Sequence, residues 1–129
     1  MANNSEIFNF LHNSDTVTQI THLGDSSNMS LESDKLKGDG YYSRSDGIHT
    51  VQYNLNGFLG SIVVQGTLAT APIEEDWSTI ASTMHQAVIE DEITRNGGFI
   101  KNFTGNYVWV RIAITNWSDG SVTSIMLNH

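Results

Sequence analysis

Cysteine is absent from the 129 residues, and its absence excludes disulfides, thiolate nucleophiles and cysteine-ligated metal centres. Proline occurs once, as Pro72. Basic residues are scarce: six Lys and Arg stand against 14 Asp and Glu, for a net charge of −8. A surface of that sign repels phosphate backbones and anionic lipid, so neither nucleic acid nor membrane is an expected partner. No apolar run approaches the roughly 20 residues of a membrane-spanning helix. The stretch Met1-Ala2-Asn3-Asn4-Ser5-Glu6 has neither the basic nor the apolar segment of a secretory signal, so an unprocessed, cytoplasmically made chain is expected. On that expectation the Asn-x-Ser/Thr sequons at Asn3, Asn28, Asn102 and Asn116 carry little weight as glycosylation sites.

What remains is 39% hydrophobic and 9% aromatic, enough for one core. Two cores are excluded by size, since a domain of about 60 residues buries only about 60% of its unfolded surface. The apolar residues alternate with period two. In 48–55, Val51, Tyr53 and Leu55 share a face; in 61–69, Ile62, Val64 and Leu68 do. In 107–115, Val108, Val110, Ile112 and Ile114 oppose Tyr107, Trp109, Arg111, Ala113 and Thr115. A last run, 121–127, sets Val122, Ser124 and Met126 against Thr123, Ile125 and Leu127. Asn56-Gly57, Asn96-Gly97-Gly98, Thr104-Gly105-Asn106 and Asp119-Gly120 are turn formers between such runs, and Asp119-Gly120 reads as a hairpin. Pro72 followed by Glu74, Glu75 and Asp76 predicts one short helical turn, with proline at its first position and acids at its positive end. Trp77 and Ile80 would anchor it. Residues 84–94 are compatible with either a short helix or a strand. Ile7-Phe8-Asn9-Phe10-Leu11 and 16–23 are compatible with strands. The expected fold is all-β, a single jelly-roll-like sandwich with at most one short helix. Residues 38–129 form the sandwich, and residues 1–37 are an N-terminal arm or its first strands.

Candidate chemistry is sparse. The five histidines, His12, His22, His49, His85 and His129, make no zinc-binding spacing, and His49 reads as a partly exposed sheet residue. Asp39, Asp46 and Asp119 sit in glycine-containing loops but lack the EF-hand pattern, so turn formation explains them. The acids Glu74-Glu75-Asp76 and Glu90-Asp91-Glu92 are sequence neighbours, which is not the arrangement of a glycosidase pair facing across about 5–9.5 Å. No nucleophile elbow or phosphate loop is present. No enzyme, cofactor or metal is expected. The aromatics Tyr41, Tyr42, Tyr107, Trp109 and Trp117 leave three readings: sugar platform, subunit interface or core. Tyr, Trp and Arg are favoured at interfaces, and Tyr107, Trp109 and Arg111 lie on one face of the best-defined strand. Interface or core is the preferred reading. A sugar platform would be built from Tyr41, Tyr42 and Trp117.

Three stretches carry a resemblance. They are 38–53 (Gly-Asp-Gly-Tyr-Tyr-Ser-Arg-Ser-Asp-Gly-Ile-His-Thr-Val-Gln-Tyr), 60–69 (Gly-Ser-Ile-Val-Val-Gln-Gly-Thr-Leu-Ala) with Pro72 and Asp76-Trp77 after it, and 103–111 (Phe-Thr-Gly-Asn-Tyr-Val-Trp-Val-Arg). Asp119-Gly120-Ser121-Val122 and Leu127-Asn128-His129 complete the pattern. Together they resemble small virion structural proteins of tailed phages, especially those of T4-like marine cyanophages. The order of motifs is also similar to sandwiches of the galactose-binding or discoidin type. The resemblance covers 38–129 and implies no catalytic residues. It implies a small module of the virion, made in the host cytoplasm, that packs on a capsid or tail. Its partners would be copies of itself and a larger capsid or tail protein. Ile7, Phe8, Phe10 and Leu11 would join Tyr107, Trp109 and Arg111 as contact residues if the N-terminus is an arm. A carbohydrate-binding module used in host attachment is the alternative.

Overall fold

Alternation in the two longest patterned stretches produces two 20-residue strands, each far longer than the turn signals within it suggest. The computed structural model describes residues 6–8, 20–21, 29–42 and 47–128. Its strands are β1 (Glu6–Ile7), β2 (Ile20–Thr21), β3 (Met29–Glu32), β4 (Leu36–Lys37), β5 (Ile48–Thr67), β6 (Ser78–Ala87), β7 (Asn96–Thr104) and β8 (Trp109–Asn128). Among the described residues there is no α-helix, only three single turns of 3-10 helix at Asp39–Tyr42, Glu74–Asp76 and Glu92–Thr94.

Strands β5 and β8 pair antiparallel along their whole length, from Thr50 opposite Asn128 to Thr67 opposite Trp109. The ribbon is broken midway by register shifts around 54–61, and there its flanking strands change. On one side of the bend β7 pairs with Ile48–Asn56 and the pieces β1 and β2 pair with the end of β8. On the other side β6 pairs with Gly60–Gly66 and β3 and β4 pair with the start of β8. One bent ribbon thus supplies the middle of both layers of an all-β sandwich. Bulges supply such bends, since an unpaired residue locally increases twist and curvature.

The core lies between the layers. Val51, Tyr53, Ile62 and Val64 of β5 meet Val110, Ile112, Ile114 and Ile125 of β8 there, all fully buried. Burying each such side chain contributes about 1.5–3 kcal/mol. Tyr53 crosses the core to donate its hydroxyl to the Thr83 carbonyl at 2.8 Å, and burial pushes that hydroxyl's pKa upward. Thr83 also fills a break in the β5–β6 ladder, where its Oγ1 accepts from the Val64 amide at 2.8 Å and donates to the Ile80 carbonyl at 2.6 Å.

The structure corrects several expectations. Asp119-Gly120 does not reverse the chain; β8 runs through it, and the pair forms the corner of the bend. Leu68 lies past the end of β5 and is exposed. His49 is fully buried, stacked on Phe103 at 4.6 Å with its Nδ1 3.1 Å from the Gly47 carbonyl. Residues 84–94 divide into the end of β6, a turn and the Glu92–Thr94 helical turn. The turn at Glu74–Asp76 forms where expected, but Pro72 stands one residue before its N-cap, Ile73, and not at the first helical position.

Candidate interaction surfaces

Along β8 the aliphatic face Val110, Ile112 and Ile114 points into the core, so the opposite face is where Tyr107, Trp109 and Arg111 were expected to stand together. The three are separated by their surroundings. Tyr107, just before the strand, is half-buried against the core, its ring lying on the backbone of Gly66 and Gly105 so closely that a Cβ at either would collide with it. Arg111 is buried at 8% exposure. Its Nε donates to Gln65 Oε1 at 2.8 Å, its Nη2 and Nη1 donate to the two Glu74 carboxylate oxygens at 2.6 and 3.3 Å, and its guanidinium lies over the Trp77 ring at 4.5 Å. The guanidinium holds the Glu74 carboxyl below its ordinary pKa, by hydrogen bonding first and charge second. Segment 69–77 is thereby strapped across the outside of this layer. Trp109 secures the strap from the side by donating Nε1–H to the Thr70 carbonyl at 2.9 Å.

Trp109 is half-buried, like Tyr107, and stands beside the exposed Lys35 and Tyr41. Tyr41 packs against it with ring centroids 5.1 Å apart, the Lys35 ammonium lies 4.8 Å over its ring, and the Lys37 ammonium lies 4.5 Å over Tyr41. The result is a strip of two adjoining rings with a cation at either end, brought together because Lys37 is opposite Trp109 in the β4–β8 register. Beside it is a shallow hollow of about 250 Å³ lined by Asp34, Lys35, Ile73, Glu74, Trp77 and Arg111. Sequence reading misses Lys35 and Lys37 and gives Trp77 only an anchoring role; the alternating spacing of Lys35 and Lys37 is a signal only once β4 is known to pair with β8.

The proposed sugar platform does not assemble. Trp117 is buried at 1% exposure, stacked with Phe58 at 6.2 Å, and its indole N–H donates to the Asp119 carbonyl at 3.0 Å. It is a core residue of the bend with no face for a ring to stack on. Tyr41 is exposed at 45%; Tyr42 ends the 3-10 turn that begins at Asp39. Of the N-terminal contact residues, Ile7 pairs in backbone register with Met126, and Phe8 is fully buried with its amide donating to the Ile125 carbonyl at 3.0 Å. Phe10 and Leu11 lie outside the described residues.

The outer face of the other layer has a different character. Register places Thr50, Gln52 and Asn54 of β5 beside Asn102, Ile100 and Gly98 of β7 and beside Asn128, Met126 and Ser124 of β8. None of these positions carries a charge. Their side chains bond to one another: Thr50 Oγ1 to Asn102 Oδ1 at 2.8 Å, Gln52 Nε2 to Asn54 Oδ1 at 2.8 Å, and Asn54 Nδ2 to Ser124 Oγ at 3.0 Å. Ile48 and Ile100 stand exposed at 60% and 62%.

No protein-family model matches the chain, and no curated protein matches it. Among solved structures it is similar to the XRCC1 N-terminal domain, described as a single-strand break repair protein, at 15% identity and a TM-score of 0.47, covering 88% of this chain and 78% of that one. It is also similar to reduced XRCC1 bound to the DNA polymerase β catalytic domain, at 11% identity and a TM-score of 0.42, covering 82% and 76%.

Proposed function

We propose that the protein is a non-enzymatic structural component of a phage virion, a capsid decoration or tail accessory module. It assembles through protein–protein contacts with copies of itself and with a larger capsid or tail protein. The resemblance of residues 38–129 to small virion proteins supports the setting. The observation that carries the contact is the strip Lys37–Tyr41–Trp109–Lys35, whose neighbouring rings and cations lie within 4.5–5.1 Å of one another on an outer sheet face. Large rings fixed in place supply contact area at little entropic cost, and Trp and Tyr dominate the energetics of known interfaces. Trp109 is already anchored by Thr70, so little freedom remains for a partner to freeze.

Carbohydrate binding is the second reading. It is favoured by the hollow beside the strip, where Trp77, Glu74, Asp34 and Arg111 set an aromatic ring among donors and acceptors. One substitution separates the two. Trp109→Ala is expected to fold and to enter particles at least about tenfold less than the wild type, as loss of a Trp hot spot implies. Absence of the wild-type chain from purified particles, measured by mass spectrometry, overturns the virion reading. Wild-type binding on a glycan array that is lost in Trp109→Ala establishes the second.

A further inference from the structure

We propose that Asn56 is a site of spontaneous deamidation in the folded chain, and that the side chain of Asn96 restrains it. The site lies at the bend of β5 and β8 and is independent of the assembly reading.

An asparagine followed by glycine loses its side-chain amide with water as the sole co-reactant. The glycine amide nitrogen, once deprotonated, attacks the asparagine Cγ. A C–N bond forms, and the side-chain nitrogen takes up the proton and leaves as ammonia. Water then opens the cyclic imide at either carbonyl. The product is aspartate, or isoaspartate in which the main chain runs through the former side chain. Glycine favours the attack because no Cβ obstructs the approach of its nitrogen. The chain has two such steps, Asn56-Gly57 and Asn96-Gly97, and the β5–β7 register sets Asn56 opposite Asn96.

Their surroundings are unequal. Asn96 is tied at both atoms of its amide: Oδ1 accepts from the Gly57 amide at 2.9 Å, and Nδ2 donates to the Glu92 carbonyl at 3.2 Å. Turning its Cγ toward Gly97 breaks both bonds. Asn56 is exposed, and its side chain makes no hydrogen bond among the described residues. Space is open beside it, since a Cβ on Gly57 would meet nothing nearer than 3.9 Å. Ser121 Oγ donates to the Asn56 carbonyl at 3.3 Å, which draws electron density from the peptide whose nitrogen is the nucleophile. The restraint comes from across the ladder. The proton that Gly57 must lose is the one that Asn96 Oδ1 accepts, so that bond has to break before the nitrogen attacks.

Conversion adds a carboxylate to a chain whose net charge is already −8. Isoaspartate also inserts an extra methylene into the backbone of β5, at a residue paired with Asn96 on one side and Ser121 on the other. The isoaspartate form is therefore expected to melt below the unaged chain.

The experiment ages the full folded chain at mildly alkaline pH. Peptide mass mapping locates where ammonia has been replaced by water, and enzymatic methylation counts isoaspartate. In the wild type, conversion at Asn56 is expected to run at least about fivefold faster than at Asn96, the worth of the hydrogen bonds that hold the latter. Asn96→Ala frees the Gly57 amide and is expected to speed conversion at Asn56 about two- to tenfold. Asn96→Asp keeps an oxygen for Gly57 but, like Asn96→Ala, loses the donor to Glu92. It is expected to age no faster than the wild type, which separates loss of the Gly57 contact from general loosening of the turn. Both variants are compared well below their denaturant midpoints. The proposal is overturned if Asn96 converts first, or if Asn56 stays intact in the folded chain while the urea-unfolded chain converts it. It is equally overturned if Asn96→Ala ages at the wild-type rate, or if Asn96→Asp ages as fast as Asn96→Ala.

Discussion

Arg111 and Glu74 illustrate how unequal the two partners of one ion pair are. The Arg111 side chain is 10% exposed and the Glu74 side chain 73%, so the arginine belongs to the packing and the carboxylate to the solvent. Exposed ion pairs contribute little. Glu74→Gln is therefore expected to leave the melting temperature almost unchanged at neutral pH. Because the folded state lowers the Glu74 pKa, the pair's contribution is present above the ordinary carboxylate value and lost as pH falls through the lowered one. Arg111→Ala removes the guanidinium stacked on Trp77 and the donor to Gln65, and is expected to cost about 1–3 kcal/mol in denaturant unfolding. His85 has the opposite chemistry. Burial pushes its imidazole below its ordinary pKa, a hydrogen bond to the Thr94 carbonyl opposes that shift, and the Lys101 charge assists it. The unfolded chain then takes up the proton first as pH falls below about 6.5, so stability falls with it. Comparing the melting temperatures of wild type and His85→Gln at pH 7.5 and 5 checks this: the wild type's advantage is expected to shrink on acidification, and a constant gap refutes the assignment. Alternation assigns a face but does not say whether that face is covered, which is why His49 reads as partly exposed and why Trp117, a core residue, stays open to the alternative of a sugar platform.

At the scale of elements, the bend between the two halves of β5 and β8 is what the sequence hid. Asn56-Gly57 and Asp119-Gly120 have the residues of tight turns, and Gly57 and Gly120 do adopt φ of +69° and +79°. Here that conformation kinks two paired strands without reversing either. Arg95 fixes the corner: its Nε and Nη2 donate to the carbonyls of Phe58 and Gly57 at 3.2 and 2.9 Å, and its Nη2 lies 3.6 Å from Asp119 Oδ2. A periodic pattern carries no trace of these long-range partners, which explains why the strands were legible and their continuity was not. Register adds a second reason. Asn54 pairs with Ser124 but Leu55 with Val122, so β8 has one extra residue, and the inward set shifts from Val122 to Ile125 and Leu127. The glycines separate strain from space. A Cβ on Gly57 meets nothing nearer than 3.9 Å, whereas one on Gly120 collides with the Gly57 carbonyl. Gly57→Ala is expected to cost about 1–2 kcal/mol, the ordinary penalty of left-handed backbone. Gly120→Ala should cost distinctly more, because the two paired strands must separate at the corner. Denaturant midpoints of the two variants, measured side by side, test the order; equal costs would show that the corner yields freely.

For the whole molecule, the fold class was legible because an all-β sandwich needs little more than alternation and turns. The interaction surfaces were legible only in part. Trp109 was found from its place opposite the aliphatic face, but Lys35, Lys37 and Tyr41 join it through the β4–β8 pairing and the 3-10 turn after it, contacts that cross more than 60 residues of chain. The charge-free face needs the register of three strands before its residues are seen to be neighbours. The same holds for the N-terminus, where Ile7 to Leu11 suited an arm as well as a first strand. Phe8 is fully buried and belongs to the core cluster that β5 and β8 build, while its amide bonds to Ile125 at 3.0 Å. A core phenylalanine cut to alanine loses its transfer free energy and leaves a cavity, together about 3–5 kcal/mol. Phe8→Ala is therefore expected to lower the melting temperature by at least about 10 °C in a domain of this size. Removing residues 1–12 withdraws the same side chain and the backbone paired with β8 at Leu127 and Met126, so the truncated chain should be less stable still. A truncated chain that melts with the wild type would mean that other side chains can close the Phe8 site, and that the segment is an appendage to a sandwich complete without it.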